Sequence, residues 1–412
     1  MFLIIAWRNI WRNKLRSSVL ITAIALGIWA AIFMSAFATG MIQGYIDSAI
    51  TNVVSHLQIH HPDFKKNKET KYYFTEQQQK LAQIRTLPDV AEASSRTLVN
   101  AMLASSKGSR GVLVRGVEPE AERRLTHLDQ NIVEGTYFNG KRKNQVLLSR
   151  FLAEKLKVKI RSKVVLTFQN LDQEITSAAF RIVGFYDTGN NIFDQAHIFV
   201  KTQDLNPLLL SEAAAQGQAT NIAHQIALTI KDTEKLDSIQ QQLSRHYPGL
   251  RIENYGEVAP DLQLYESQIA FVSLIYLVII MLALVFGIIN TTLMAVLERT
   301  RELGMLMAIG MNKKRVFLMI VTETIMLALV AIPVGLLLGW LTINYLGEYG
   351  INLSAYSEGL KNFGMSEIIY PTLNPKVFFQ SAIAVTLTSI IAALYPAFKA
   401  VRLRPVEAIR KI

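Results

Sequence analysis

The chain has 412 residues, 50% hydrophobic and 18% charged, with a mean hydropathy of +0.24. Soluble chains usually carry roughly 25% charged residues, so this one is poor in charge, which excludes a disordered protein. It contains no cysteine, which excludes disulfide scaffolds, thiolate zinc sites and cysteine nucleophiles. A net charge of +11 could signal nucleic acid or a membrane surface, and its placement decides. Residues 43–266 hold 27 Lys and Arg against 25 Asp and Glu; elsewhere 16 basic residues face 7 acidic ones. Nearly all of those 16 lie in three short clusters beside apolar runs. That is a membrane signature and argues against nucleic acid.

In chain order, residues 1–16 read as an interfacial amphipathic helix. Ile4, Trp7, Trp11 and Leu15 fall at helical spacing, with Arg8, Arg12, Asn13 and Arg16 on the other side. Residues 17–46 carry no charge and form the first of four spans, since a bilayer crossing needs about 20 apolar residues. The run is too long for the h-region of a cleaved signal peptide, so it reads as an anchor. Residues 47–266 are long enough to bury a core of their own. Strands are expected at 112–116, 145–148, 163–168, 180–185 and 197–200. Helices are expected at 75–86, 151–156 and 232–246, and a helical insertion at 203–225. The domain is therefore α+β.

The second span covers 267–297, the third 316–345 and the fourth 377–398. Between the second and third lies a short basic segment, 298–315. A loop at 346–376 joins the third and fourth, and a basic tail covers 399–412. Fourteen basic residues lie in the N-terminal segment, the 298–315 segment and the tail, against Lys361 and Lys376 in the remaining loop. By the positive-inside rule both termini and residues 298–315 are cytoplasmic, and the large domain lies outside.

No catalytic constellation is legible. The seven histidines are scattered or, at His60 and His61, adjacent and pointing apart. No H-E-x-x-H, G-x-S-x-G or EF-loop spacing occurs, and no metal site is expected. Glu118, Glu120 and Glu122 read as a solvated face leading into a helix. Within 298–315, charges crowd the first turn, and Leu303, Leu306, Met307 and Ile309 form an apolar stripe. Gly310 is the expected stop and Asn312 the cap of the next helix. This segment suits a docking helix for a partner's groove, with adaptable Met side chains at the contact.

Three stretches resemble a known family. Phe286-Gly-Ile-Ile-Asn-Thr-Thr-Leu-Met-Ala-Val-Leu-Glu298-Arg-Thr-Arg-Glu-Leu-Gly304, with Ala308-Ile-Gly310, is similar to the signature of FtsX/MacB-type ABC transporter permeases. The tail Ala393-Leu-Tyr-Pro-Ala-Phe-Lys-Ala-Val-Arg-Leu-Arg-Pro-Val-Glu-Ala-Ile-Arg410 and the start Ala6-Trp-Arg-Asn-Ile-Trp-Arg-Asn-Lys-Leu-Arg16 resemble other parts of it. Val114–Pro119, Ile132–Gly135 and Val183–Gly189 resemble the MacB-type periplasmic core. Where many members carry a Gly-Asp turn, this chain has Ile160-Arg161-Ser162-Lys163. His56-Leu-Gln-Ile-His60 is most like the LolC/LolE-type lipoprotein-releasing branch.

The resemblance implies a half-transporter of the bacterial inner membrane, paired with a second permease copy or paralogue. Each permease would dock a separate cytoplasmic ATPase through Glu298, Arg301, Glu302, Leu303, Leu306, Met307 and Gly310. No G-x-x-x-x-G-K-[ST] loop occurs in the sequence, so ATP and Mg belong to that ATPase, and no cofactor is expected on this chain. The expected cargo is a lipoprotein or similar lipid-anchored amphiphile, passed to a periplasmic carrier. Alternatives are MacB-like efflux of peptides or small amphiphiles, and FtsX-like activation of a cell-wall hydrolase. A lateral substrate path is expected along Phe33, Met34, Phe37, Met41 and Ile42 of the first span and Leu264, Ile269, Phe271 and Val272 at the second. Glu323, the one ionisable residue inside a span, is expected to pair with a nearby Arg or a backbone donor.

Overall fold

A computed structural model describes Arg12 and residues 14–64, 69–140, 142–210, 222–362, 364–372 and 375–402. Most of the amphipathic helix expected over residues 1–16, the tail beyond Arg402 and the middle of the 203–225 insertion lie outside these residues. The chain divides into two compact units, 1–42 with 267–352 and 368–412, and 43–266 with 353–367.

Among the described residues four helices are long and apolar enough to cross a membrane: Lys14–Val54, Pro260–Glu298, Lys313–Tyr349 and Pro375–Val401. On the first, Leu20, Ile24, Ile28, Ile32 and Ala36 recur every fourth residue and are buried, as helical geometry places them on one face. They pack against Leu327, Ala328 and Ala331 of the third helix and Val385 and Ala392 of the fourth. Small residues permit the approach: a Cβ on Gly335 would stand 2.8 Å from the Ala25 carbonyl oxygen, and one on Gly339 3.2 Å from Ile32. The second helix is different. Only 11% of its apolar window is buried, against 44% for the first, so Phe271, Leu274, Val278, Leu282 and Phe286 stand exposed.

In the other unit, ten strands form one mixed sheet. In chain order they are β1 (Leu57–His60), β2 (Val90–Ser105), β3 (Gly108–Val117), β4 (Ile132–Gly135), β5 (Gln145–Ser149), β6 (Lys163–Gln169), β7 (Ile175–Tyr186), β8 (His197–Lys201), β9 (Gln225–Ile230) and β10 (Arg251–Asn254). The long strand β2 exchanges neighbours along its length. Up to Arg96 it pairs with β9, and from Ala101 with β6, while β3 lies along its other side. The pairings β2–β3–β8–β5–β7–β6–β2 close a ring. A closed ring has no free edge to template aggregation. Its core includes Val99, Leu103, Val114, Val146, Leu166, Phe180, Ile182 and Ile198.

β6 shows why the sequence pattern is legible here. Its burial alternates residue by residue, as a strand with one wet face requires. The remaining strands β1, β9 and β10 carry the helices Gln77–Arg85 and Leu236–His246 on a second core of Leu57, Ile59, Leu81, Ile84, Ile226, Leu228, Ile239 and Leu243. The fold class is therefore as the sequence implies, four apolar helices and one large domain of mixed strands and helices.

One local expectation fails. Glu122 is not solvated: it and Arg96 are both fully buried, with Oε1 to Nη2 at 2.7 Å and Gln225 Oε1 accepting from Arg96 Nη1 at 3.3 Å. In the helix Pro119–Thr126 a two-residue step turns about 200°, so the three glutamates cannot share one face. The loop between the third and fourth helices has packing of its own. Its residues 353–367 pack with the large domain, where Lys361 Nζ lies 3.1 Å from Asp187 Oδ2 and Asn191 Nδ2 donates to Asn362 Oδ1 at 2.8 Å.

Candidate functional site

The second helix ends at Glu298, and a short helix, Thr300–Ala308, follows after Arg299 leaves helical geometry (φ −98°, ψ 15°). Gly310 then takes φ +103°, a left-handed conformation that favours glycine. Asn312 Oδ1 accepts the Lys314 amide at 3.1 Å and caps the third helix. These two signals set where the short helix stops and the next begins.

The break turns the short helix so that its apolar stripe faces the chain itself. Leu303 is 4% exposed and sits among Val296, Val316, Met319, Ile320, Ala397 and Ala400, with Leu306 and Met307 packed against the same cluster. Leu303, expected to meet a partner, is thus packed within the chain, while Leu306 and Met307 are half-buried against the same cluster and keep part of their surface open. They anchor the short helix to the protein's own spans, because burying them there removes more apolar surface than an exposed stripe could. The opposite face presents Arg301, Met305, Ala308, Ile309 and Gly310 to solvent, with Ile309 85% exposed. Met305 and Ile309 are four apart, hence on one face. Ile309, expected in one stripe with Leu303, instead shares the outer face with Met305; the two-residue step from Leu303 to Met305, about 200° of helical turn, is the signal that separates the faces.

The charges of the first turn hold this arrangement. Arg12 Nη2 donates to both Glu302 oxygens, at 2.7 and 2.5 Å. Arg16 reaches Glu298 at 3.3 Å and Glu323 at 3.6 Å, and Arg299 reaches Glu323 at 3.2 Å. Glu323 thus lies between two guanidiniums, and the intramembrane carboxylate is paired. Such a group is costly in hydrocarbon and marks a site facing protein or water. Arg12, Arg16, Arg299, Glu302 and Glu323 line the polar part of a cavity of about 390 Å³; Leu20, Leu303, Ile320 and Leu327 form apolar wall. Of the expected docking set, then, Glu298 pairs with Arg16 and Glu302 with Arg12, and Arg301 and Gly310 stay on the open face.

The expected path residues are only partly assembled. The first and second helices meet where Ser35 Oγ donates to Ser273 Oγ at 3.0 Å. Trp29, Phe33 and Phe37 stack along the first helix, with centroids 5.6 and 6.3 Å apart. Met34 and Met41 are half-buried beside them, as are Ile269 and Val272 on the second helix. Leu264 and Phe271 are exposed, at 61% and 63%. Ile42, at 8% exposure, is packed within the protein and is no part of an open surface. Among the described residues no group of His, Asp and Glu could hold a metal.

Residues 17–246 match the family model of the MacB-like periplasmic core domain, and residues 274–405 that of the FtsX-like permease C-terminal region. An uncharacterised ABC transporter permease protein of Mycobacterium tuberculosis is 26% identical over 75% of this chain, which spans 34% of that protein's length. The lipoprotein-releasing system transmembrane protein LolE of Haemophilus influenzae is 21% identical over 78% of each chain. Among solved structures, the periplasmic region of MacB from Actinobacillus actinomycetemcomitans aligns with a TM-score of 0.36 at 10% identity, covering 52% of this chain and 95% of that one. The first of these models covers more than half of the chain and the second follows it in sequence, and the chain belongs to the FtsX/MacB family of ABC transporter permeases.

Proposed function

We propose that the chain is the permease subunit of an ATP-driven transporter that draws lipoproteins or similar lipid-anchored amphiphiles from the outer leaflet of the bacterial inner membrane. A separate cytoplasmic ATPase supplies the energy. Its movement passes through the short helix Thr300–Ala308 to the spans and on to the periplasmic domain. Both termini and the short helix are assigned to the cytoplasm on the distribution of Lys and Arg, and a second permease copy or paralogue completes the membrane part.

The observation that carries the docking role is the two-faced short helix. Its inner face is fixed by Leu303 and the Arg12–Glu302 pair, while Met305 and Ile309 are bare at 48% and 85% exposure. A rigidly held helix with exposed apolar anchors suits insertion into a partner's groove. Leaving Ile309 exposed has no benefit for this chain alone. Lipid-anchored cargo is favoured over small-molecule efflux by the likeness to LolE over 78% of both chains, and by the exposed apolar face of the second helix. Each buried methylene of an acyl chain contributes about 0.8 kcal/mol without needing a hydrogen-bond partner.

MacB-like efflux of peptides or small amphiphiles is the second reading, favoured by the match of the large domain to the MacB-like core. The deciding experiment reconstitutes the chain with its ATPase in vesicles holding a triacylated lipoprotein or a soluble peptide. ATP-dependent release of the lipoprotein to an added carrier supports the first reading. Release of peptide alone supports the second.

A further inference from the structure

The first helix does not end in a regular turn. After Ala49 the chain forms a π turn, Ile50–Val54, and then Ser55 adopts φ 59°, ψ 175° before β1 begins. A π turn is rare and concentrates at functional positions. A serine with φ near +60° and ψ near 180° occupies a region otherwise left to glycine, and holds it only where its surroundings insist. Ser55 is 1% exposed, and its hydroxyl meets no acceptor or donor among the described residues.

The surroundings are specific. The Val53 side chain packs against the cluster of Val117, Leu128, Tyr186, Phe193 and Phe199. The Val53 carbonyl accepts from Nη2 of Arg115 at 3.3 Å, and the Val54 carbonyl accepts from Gln58 Nε2 at 2.6 Å. Arg115 stands on β3, with its guanidinium 4.8 Å from the centre of the Phe193 ring. It is 5% exposed, and neither Nε nor Nη1 meets an acceptor among the described residues. Burial, with Arg96 beside it, lowers the guanidinium to about 9 against the counter-pull of Glu122, so it is charged at neutral pH. The negative end of the first helix therefore faces a buried cation with donors to spare.

We propose that Val53, Ser55 and Arg115 form a catch that holds the π turn Ile50–Val54 in one setting against β3, and that transport requires its release. In the released setting the π turn reverts to α geometry. Each residue of an α-helix turns about 100°, so losing the extra residue of the π turn swings a neighbouring carbonyl toward the spare donors of Arg115. Ser55 meanwhile returns to ordinary extended backbone. Both settings have the same chain length and similar bonding, and so can interconvert. Arg115 acts here as a positioning residue for the movement. Its use in transport rests on the ATP-driven permease reading above; its two settings do not.

The test is hydrogen exchange of the full chain in lipid nanodiscs, alone and with its ATPase, read over residues 50–58. Ser55→Gly removes the strain of the held setting without touching a contact, and exchange there is expected to slow roughly five- to tenfold. Arg115→Met is expected to quicken it roughly tenfold, with Arg115→Lys in between and β2–β3 unchanged. Adding ATP should quicken exchange in the wild type and not in Ser55→Gly, while ATP hydrolysis proceeds at the wild-type rate. If Ser55→Gly exchanges within twofold of wild type without ATPase, the catch is wrong, and this arm stands even if Arg115→Met fails to fold. Failure of the wild-type chain to bind any ABC ATPase would instead overturn the permease reading and leave the comparison without ATPase to decide the catch.

Discussion

At the scale of single residues, environment overrules side-chain type. Glu122 is charged and yet fully buried against Arg96. Glu122→Gln leaves that guanidinium without its counter-ion and is expected to cost about 3–5 kcal/mol of domain stability, read by urea unfolding. Arg161 takes φ +72°, a left-handed conformation that favours glycine. Arg161→Gly is expected to raise stability by about 0.5–1 kcal/mol, because the left-handed conformation no longer strains a Cβ.

His224 and Asp194, shifted independently by burial, give opposite dependences of stability on pH. Burial holds His224 down at about 4, against the hydrogen bond from its Nε2 to the Thr70 carbonyl. Burial also lifts Asp194 to about 7, against its hydrogen bonds from Thr188. For His224 the unfolded chain binds the extra proton between pH 4 and about 6.5, so stability is present above that range and lost as pH falls through it. For Asp194 the folded chain binds the extra proton between about pH 4 and 7, so stability is lost as pH rises. The two slopes oppose, and the wild-type profile is expected to be flat. Asp194→Asn should give melting temperatures that rise from pH 4.5 to 6.5, and His224→Gln ones that fall, each by the equivalent of about 1–3 kcal/mol.

At the scale of elements, the short helix Thr300–Ala308 carries the sharpest contrast, because its two faces do different work. Leu303→Asp buries a carboxylate among Val296, Val316 and Ile320 and is expected to destabilise the chain by several kcal/mol, about 3–5. Its melting temperature should drop with or without ATPase. Ile309→Asp, on a residue 85% exposed, should leave melting within about 0.5 kcal/mol of wild type and weaken ATPase capture at least tenfold, since an apolar anchor is worth about 2 kcal/mol or more. Capture of the ATPase at full strength by Ile309→Asp would remove this face from the docking site. Periodicity made the helix, its stop at Gly310 and its cap at Asn312 legible. It could not say which apolar stripe the chain would keep for itself, because Leu303 and Ile309 both satisfy a 3.6-residue repeat.

At the scale of the whole molecule, the lateral path is tested by photocrosslinkers at Phe37, Met41 and Phe271, with Ile42 as the buried control. Capture of lipoprotein at the first three in the resting state, lost on adding ATP, is the expected outcome; equal capture at Ile42 would count against a surface path. The spans, the break between them, the basic flanks and the α+β character of residues 47–266 were determined by the sequence itself. Charge-free length, Lys and Arg placement and two-residue alternation are local properties, written one segment at a time. Four things were settled only in three dimensions. They are the closed ring through β2 and β6, the burial of Glu122, the packing of residues 353–367 with the large domain, and the inward turn of Leu303. Each brings together residues distant in sequence, and each outcome depends on which partner removes more apolar surface or neutralises a charge. No periodicity within one segment carries that information. The strained serine at the end of the first helix is the extreme case: nothing about Ser55 in the sequence marks it, and only Arg115, sixty residues on, makes its backbone intelligible.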